Sequence, residues 1–402
     1  MGSLRLNALI IGGGAAGLWT LLALRRQGYS AALIESNACG LGQTVSSQGI
    51  LHSGLKYSLQ GLLTSAAREA REMPLLWRDC LLGQQQPDLS QTEILSDAFW
   101  LWGTDSAASR LGMTGAKLGL AVTPISVEGA ARPECLQSCT GTVYRVGEQV
   151  ISPASLIRNL LTHAPNGVWQ VAPEELTWDH SPAGMAPSAR IQPRDSLRAE
   201  PITLQPDWLI LTAGAGNAEL RQSLGLGSEK MQRRPLQMVL VRGPLPMFFG
   251  HCIDGAKTRI SITSSREPDG QVVWQIGGQV SEVGVQMSSA ELIRHTQNEV
   301  RELLPAIPIQ HCDWTTYRVD RAEGATLTGG RPDSFRLLRE KQILTGWPTK
   351  LVLVPQLAQA ICQTVSQAGS QPRAVDLSSV PLPRPNVAAA PWQQDLWRRA
   401  AA

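Results

Sequence analysis

No block of like charge occurs anywhere in the 402 residues. The 36 basic and 33 acidic side chains are scattered, and the net charge is only +3. Nucleic-acid binding therefore has no electrostatic support. Cys39, Cys80, Cys135, Cys139, Cys252, Cys312 and Cys362 are odd in number, widely spread and free of any CxxC pair. They read as mostly buried thiols in a reducing compartment. His163, His180, His251, His295 and His311 form no ligand-spaced set, so no metal site is expected. No uninterrupted apolar stretch of about 18 residues exists, which leaves no membrane span and makes a cytoplasmic location the expectation. The twelve tryptophans are dispersed and read as core or pocket wall rather than as a nucleic-acid platform.

What is present begins at once. Residues 6–11 form a short apolar run ending in Ile10 and Ile11, residues 15–27 read as a helix, and residues 31–34 read as the next strand. The opening apolar segment could pass for a signal peptide, but Gly12, Gly13 and Gly14 break it and have a better use. Gly12, Gly14 and Gly17 make a GxGxxG turn directly after the first strand. The first permits the tight turn, the second lets the backbone approach a pyrophosphate, and the third lets helix and strand pack closely. Ala15 and Ala16 then supply amides at the helix N-terminus, where phosphate would sit. Glu35, followed by Ser36, ends the second strand where an acceptor can bind a ribose 2′-hydroxyl. These residues fit NAD as well as FAD.

Further along, residues 64–82 have helical composition with Pro74 expected to kink or interrupt the helix. From residue 87 to about 141 the pattern turns irregular, as if a different domain were entered. Ser152-Pro153 caps a helix that opens a new α/β element, residues 179–206 read as an excursion of strands, and residues 207–216 form another buried strand ending in small residues. Residues 234–242, 258–263 and 272–276 suggest the sheet of a second domain. Ser288 to Glu291 spell a capping box before an amphipathic helix. Residues 324–350 lead back to the first domain and to a last apolar helix, and the tail over 381–402 is expected to wrap the surface or fray.

The segment from Gly42 through Gln43, Thr44, Ser46, Ser47, Gln48, Gly49, Ile50 and His52 to Tyr57 decides between the two dinucleotides. It is a glycine-punctuated run of hydroxyls and amides, able to line a ribityl diphosphate chain with backbone donors. In this stretch the sequence resembles the D-amino-acid oxidase (DAO) superfamily of flavoproteins. It is most similar to L-2-hydroxyglutarate dehydrogenases, whose pattern runs GQTxxxSGxIHSGxYY, and more loosely to glycerol-3-phosphate dehydrogenases. Ala213-Gly214 and Gly329-Gly330-Arg331-Pro332 look like later elements of the same family.

The resemblance implies an α/β fold. A Rossmann-like FAD-binding domain would be assembled from residues 1–85, 142–222 and 325–380. A second α+β substrate domain with a mostly antiparallel sheet would comprise residues 86–141 and 223–324. Some flavoproteins of the group attach flavin covalently through a His in the first half of this segment; Ser46 stands there here, so FAD is expected to be bound non-covalently. Lys56 replaces the first Tyr of the final pair.

Three residues are candidates for chemistry. His52 suits removal of a hydroxyl proton while hydride leaves for flavin N5, or it only hydrogen-bonds cofactor or backbone. Arg331 would clamp a substrate carboxylate, as an arginine in such an element does in amino-acid oxidases of the superfamily, or pairs with an acid such as Asp333; Arg259 and Arg318 are weaker alternatives. Lys350, after Pro348 and Thr349 at the start of the last helix, would stabilise negative charge on the reduced flavin, or is a surface lysine.

The expected function is an FAD-dependent dehydrogenase or oxidase acting on a small carboxylate-bearing substrate, a 2-hydroxy acid first. Electrons would pass to oxygen, a quinone or another carrier. An amine or amino-acid oxidase is the rival enzyme, and a non-catalytic flavin-binding assembly or regulatory protein is the rival of another class.

Overall fold

The computed structural model describes residues 3–52, 65–107, 109–111, 113, 124–179, 185–193, 200–255, 257–394 and 397. Ser53 to Tyr57, and with them Lys56, lie outside these. Side chains are described from residue 72 onward in the helix Ser65–Leu81.

The first apolar run becomes strand β1 (Leu4–Ile11), whose last six residues are all buried, as suits a strand covered on both faces. It lies parallel between Ile202–Leu211 and β2 (Ala31–Glu35). Val168–Gln170 extends the sheet beyond β2, and Ile343–Trp347 extends it on the other side, both in parallel. The edge strand Arg336–Glu340 is antiparallel. Leu176–Asp179 and Ser188–Ile191 form the hairpin excursion and pair back onto Ile202–Leu211.

Helix α1 (Ala15–Arg26), Pro153–Thr162 and Val354–Gln367 cover one face, with Leu18, Leu21, Leu156, Leu160, Leu357 and Ile361 fully buried. Each such side chain removed from water contributes roughly 1.5–3 kcal/mol.

The second sheet runs, in spatial order, Asp313–Gly324, Met231–Gly243, Val272–Gly277, Lys257–Arg266, Gly250–Asp254, Phe99–Gly103, Val143–Val146 and Ile125–Ser126. All its pairings are antiparallel except that between Gly250–Asp254 and Phe99–Gly103. The amphipathic helix Ser289–Leu303 contributes Leu292, Val300 and Leu303 to this sheet's core. Its capping box is formed: Ser288 N donates to Glu291 Oε2 at 2.8 Å. A Rossmann-like α/β unit thus faces a second, mostly antiparallel unit.

The structure departs from the sequence reading at two places. Val143–Val146 pairs antiparallel with Phe99–Gly103 and so belongs to the second sheet, which moves that crossover past residue 146 rather than to 142. Ser65–Leu81 runs on as one α-helix with Pro74 inside it, so the proline does not interrupt the helix; burial of Trp77, Cys80 and Leu81 outweighs the backbone hydrogen bond it removes. The tail wraps. Cys39 N donates to Asn386 O at 2.7 Å and Ala388 N to Cys39 O at 2.9 Å, while Trp392 and Trp397 pack against the second sheet beside Met238, Leu240 and Tyr317. Among the described residues no helix is long and apolar enough to cross a membrane.

Candidate active site

A cleft of about 330 Å³ lies between the two sheets, within the size range of small-molecule sites. Its floor is the turn from β1 into α1. Gly12 adopts φ +110°, and a Cβ there would stand 2.6 Å from Ala213 Cα. A Cβ on Gly17 would stand 1.9 Å from the Gly12 carbonyl oxygen, so helix and strand touch only because both residues are glycine. Gly14 differs: the only atom a Cβ would approach is Thr44 Oγ1 at 3.2 Å, and its face opens on the cleft. Helix α1 has no capping side chain at its N-cap Gly14 and no acid in its first turn; Ala15 N donates to Thr44 Oγ1 at 3.3 Å, and the start of the helix lines the cleft. Glu35 accepts from Gly13 N through Oε2 at 2.6 Å, and its Oε1 accepts from Asn37 N at 3.0 Å and from Ser36 Oγ at 3.3 Å.

Thr44, Ser46, Ser47, Gln48, Gly49 and Ile50 form the next wall. Ser47 Oγ is buried and meets no partner among the described residues, a polar atom left for a ligand. Gly49, at φ +67°, sits with its missing Cβ against Ile151 O.

The second sheet grips this segment. Gln275 Nε2 and Tyr317 OH both donate to Ser46 O, at 2.8 and 3.1 Å, and Gln275 also donates to Tyr317 OH. Burial of Tyr317 pushes its phenol well above the usual range, so it remains a neutral donor. Gln48 reaches the other way, donating to Gln275 O at 3.0 Å and accepting from Ser261 Oγ at 3.0 Å, so its amide serves the sheet. Gln43 Oε1 accepts from Ala322 N at 3.0 Å.

The late elements close the cleft. Trp347 is fully buried and its indole donates to Gly214 O at 3.3 Å. Thr349 adopts φ +61°, which a β-branched residue rarely tolerates, and donates from its hydroxyl to Ser334 O at 2.9 Å. Lys350 opens a 3₁₀ turn that runs into Val354–Gln367, so Pro348, Thr349, Lys350 and the start of that helix line the cleft.

His52 lines the cleft with its Nδ1 3.2 Å from Oε2 of the buried Glu148. The His251 ring lies nearly parallel to it, 5.2 Å away, and packs against Phe99 at 4.3 Å. Arg331 also faces the cleft, whereas Gly330 lies on the exposed loop outside it, its carbonyl accepting from Gln232 at 2.7 Å. Ala213 lies behind Gly12 and donates its amide to Asn217 Oδ1. Arg259 is bound to Glu299 and Glu302, and Arg318 to Gln237 and Val285 O, both away from the cleft.

Glu148, His251, Arg321 and Glu282 carry no local signal in the sequence: strand pairing brings in His251 and Arg321, the loop before Val150–Ile151 brings Glu148, and the short helix Gln279–Val283 brings Glu282. Burial and the Arg234 guanidinium lower the Arg321 pKa below that of a free arginine.

These residues fit an adenine dinucleotide: a helix start without an acid, a glycine face without side chain and an orphaned hydroxyl stand along one cleft. Comparison with known proteins agrees. Residues 7–347 match a family model described as FAD dependent oxidoreductase, DAO. Over 398 residues the chain is 37% identical to a probable FAD-dependent oxidoreductase of Pseudomonas aeruginosa, PA4991, covering 97% of this chain and 98% of that protein. The crystal structure of that protein matches with a TM-score of 0.81 at 34% identity over 98% of each chain. Glycine oxidase from Geobacillus kaustophilus matches with a TM-score of 0.64 over 95% of this chain and 99% of its own, at 17% identity, a likeness of fold alone. The finer resemblance to L-2-hydroxyglutarate and glycerol-3-phosphate dehydrogenases is not carried by these matches. The chain thus belongs to the DAO family of FAD-dependent oxidoreductases.

Proposed function

We propose that this FAD-dependent oxidoreductase oxidises a small 2-hydroxy acid to the 2-oxo acid, with His52 as the proton acceptor. The observation that carries the reading is the contact of the cleft-lining His52, through Nδ1, with the Glu148 carboxylate buried behind it. A base held by a third group in one tautomer is the arrangement that removal of a hydroxyl proton needs. The other ring nitrogen, Nε2, is the proton acceptor. As the substrate C–H leaves as hydride, the O–H proton passes to His52 and the carbon becomes a carbonyl. Glu148 stabilises the imidazolium that results. Arg331 receives the carboxylate, for which its planar guanidinium has matching geometry.

FAD, when bound, supplies the hydride acceptor at its N5 and a route for electrons to oxygen, a quinone or another carrier. Residues 12–17, Glu35, residues 44–50, Gly214 and residues 348–350 would hold it, without a covalent link. Lys350 and the start of the last helix would supply positive potential to the reduced cofactor.

The test is anaerobic bleaching of the bound flavin with a panel of 2-hydroxy acids, glycerol 3-phosphate and amino acids. Bleaching by 2-hydroxy acids that is lost in His52→Ala supports the reading. Bleaching by amino acids that is indifferent to His52 replaces it with an amine oxidation.

A further inference from the structure

Among the described residues the second sheet has a single parallel pairing, and it brings aromatic rings together at the cleft. Gly250–Asp254 lies parallel to Phe99–Gly103, with His251 beside Leu101 and Trp100 N donating to Phe249 O at 2.9 Å. Side chains alternate across a strand, so Phe99 and Leu101 share a face with His251. Phe99, Leu101, Phe249 and Ile253 belong to one buried apolar cluster. His251 is a polar residue set beside it, 6% exposed, with its ring packed on Phe99 at 4.3 Å.

His52 arrives from the other side. Leu51 N donates to Gln149 O at 2.9 Å and Ile151 N to Gly49 O at 3.0 Å, so the segment leading to His52 runs alongside the one that follows Glu148. That pairing sets the Glu148 carboxylate against Nδ1 of His52 at 3.2 Å. A single contact at the edge of an imidazole leaves the ring free to turn about it, and this ring is one-third exposed. A second contact, on the face, removes that freedom. His251 lies against His52 with ring centroids 5.2 Å apart and planes inclined by 20°, while Phe99 meets His52 edge to face at 6.3 Å and 69°. Both are arrangements that ring pairs prefer.

We propose that His251 is a positioning residue: its ring, backed by Phe99, holds the His52 imidazole in the plane that keeps Nδ1–H on Glu148 and presents Nε2 to the cleft. It acts on the reaction only through His52. The inference rests on His52 as the proton acceptor and adds what fixes that residue in place.

The test reads the ring itself, so it stands whether or not a 2-hydroxy acid is oxidised. Holoenzyme carrying nitrogen-labelled histidine is compared as the unaltered protein, His251→Phe and His251→Leu at alkaline pH, with the His52 signals identified by their absence in His52→Gln. Long-range proton–nitrogen spectra distinguish a fixed Nδ1–H tautomer from a ring that averages between tautomers. The unaltered protein and His251→Phe, which keeps a ring on the face, should show the fixed form. His251→Leu, which fills the space without a ring, should show the average. Anaerobic flavin reduction by a 2-hydroxy acid that bleaches the unaltered protein should slow roughly tenfold in His251→Leu, the size expected for a lost ring pair, and recover in His251→Phe. An unchanged His52 spectrum in His251→Leu overturns the proposal. So does an equal loss of rate in both variants with the His52 spectrum intact, which makes His251 a reactant. Undiminished reduction by His52→Gln removes the base reading alone, and the spectra still decide the ring contact.

Discussion

Nδ1 of His52 lies 3.2 Å from Oε2 of Glu148, a carboxylate only 3% exposed, while the imidazole itself is one-third exposed on the cleft side. The dyad thus has a dry end and a working end. His52→Ala should lower kcat by about 10²–10⁴ while FAD remains bound. Glu148→Gln should keep the ring in place but weaken its basicity, lowering kcat roughly tenfold to a hundredfold with KM little changed. Steady-state kinetics with flavin content measured in parallel decides; undiminished turnover in both variants removes the dyad from the mechanism.

Gly17 has no room for a methyl group, because its Cβ would meet the Gly12 carbonyl at 1.9 Å. Gly17→Ala should force α1 off β1 and yield protein that lacks flavin or is insoluble. Gly14→Ala, with only a flexible Thr44 hydroxyl at 3.2 Å, should fold yet bind FAD more weakly, since the methyl group occupies the open face. Thermal melts with and without added FAD separate the two outcomes.

The Ser46 carbonyl takes two hydrogen bonds from the second sheet, through Gln275 and Tyr317. Tyr317→Phe alone should cost about 1 kcal/mol, because Gln275 still satisfies the carbonyl. Combining it with Gln275→Leu should cost more than the sum of the single changes, since the last partner is lost. The dissociation constant for FAD and the melting temperature of the four members of the cycle measure it.

Lys350 stands at the entrance of the last helix and lines the cleft. Lys350→Met should lower the flavin reduction potential, because a positive charge near the reduced form is removed. About 30 mV corresponds to 1.4 kcal/mol for a two-electron couple. Equilibration with redox dyes reads the shift, and an unchanged potential places the ammonium out of reach of the flavin.

Much of the first unit was legible because its signals are local. Gly12, Gly14 and Gly17 stand within six residues, the β1–α1–β2 unit within thirty-five, and Ser288 with Glu291 three residues on marks the start of its helix. The second unit hid where pairing is distant. Val143–Val146 is assigned by its register with Phe99–Gly103, some forty residues earlier, and no composition around it says so. His251 meets His52 across about 200 positions, and Arg321 meets Glu282 from a different strand and a different helix. Polar residues in such strands read as ordinary surface until the order of the sheet is known. The interruption that Pro74 allows for does not occur, because Trp77, three residues on, packs into the core and holds the helix together.

The pairing of Cys39 with Val387 has a consequence for how the molecule is made. During synthesis the glycine turn emerges first, yet the strand beside it comes from residues 202–211, the helix start facing it from residue 354, and the strip that covers Cys39 from residues 386–388. Elements more than 300 positions apart in the sequence, from the turn at Gly14 to the helix start at Val354, must therefore meet before the cleft has all its walls. Closing the cleft is then a late, long-range step of folding rather than a local one.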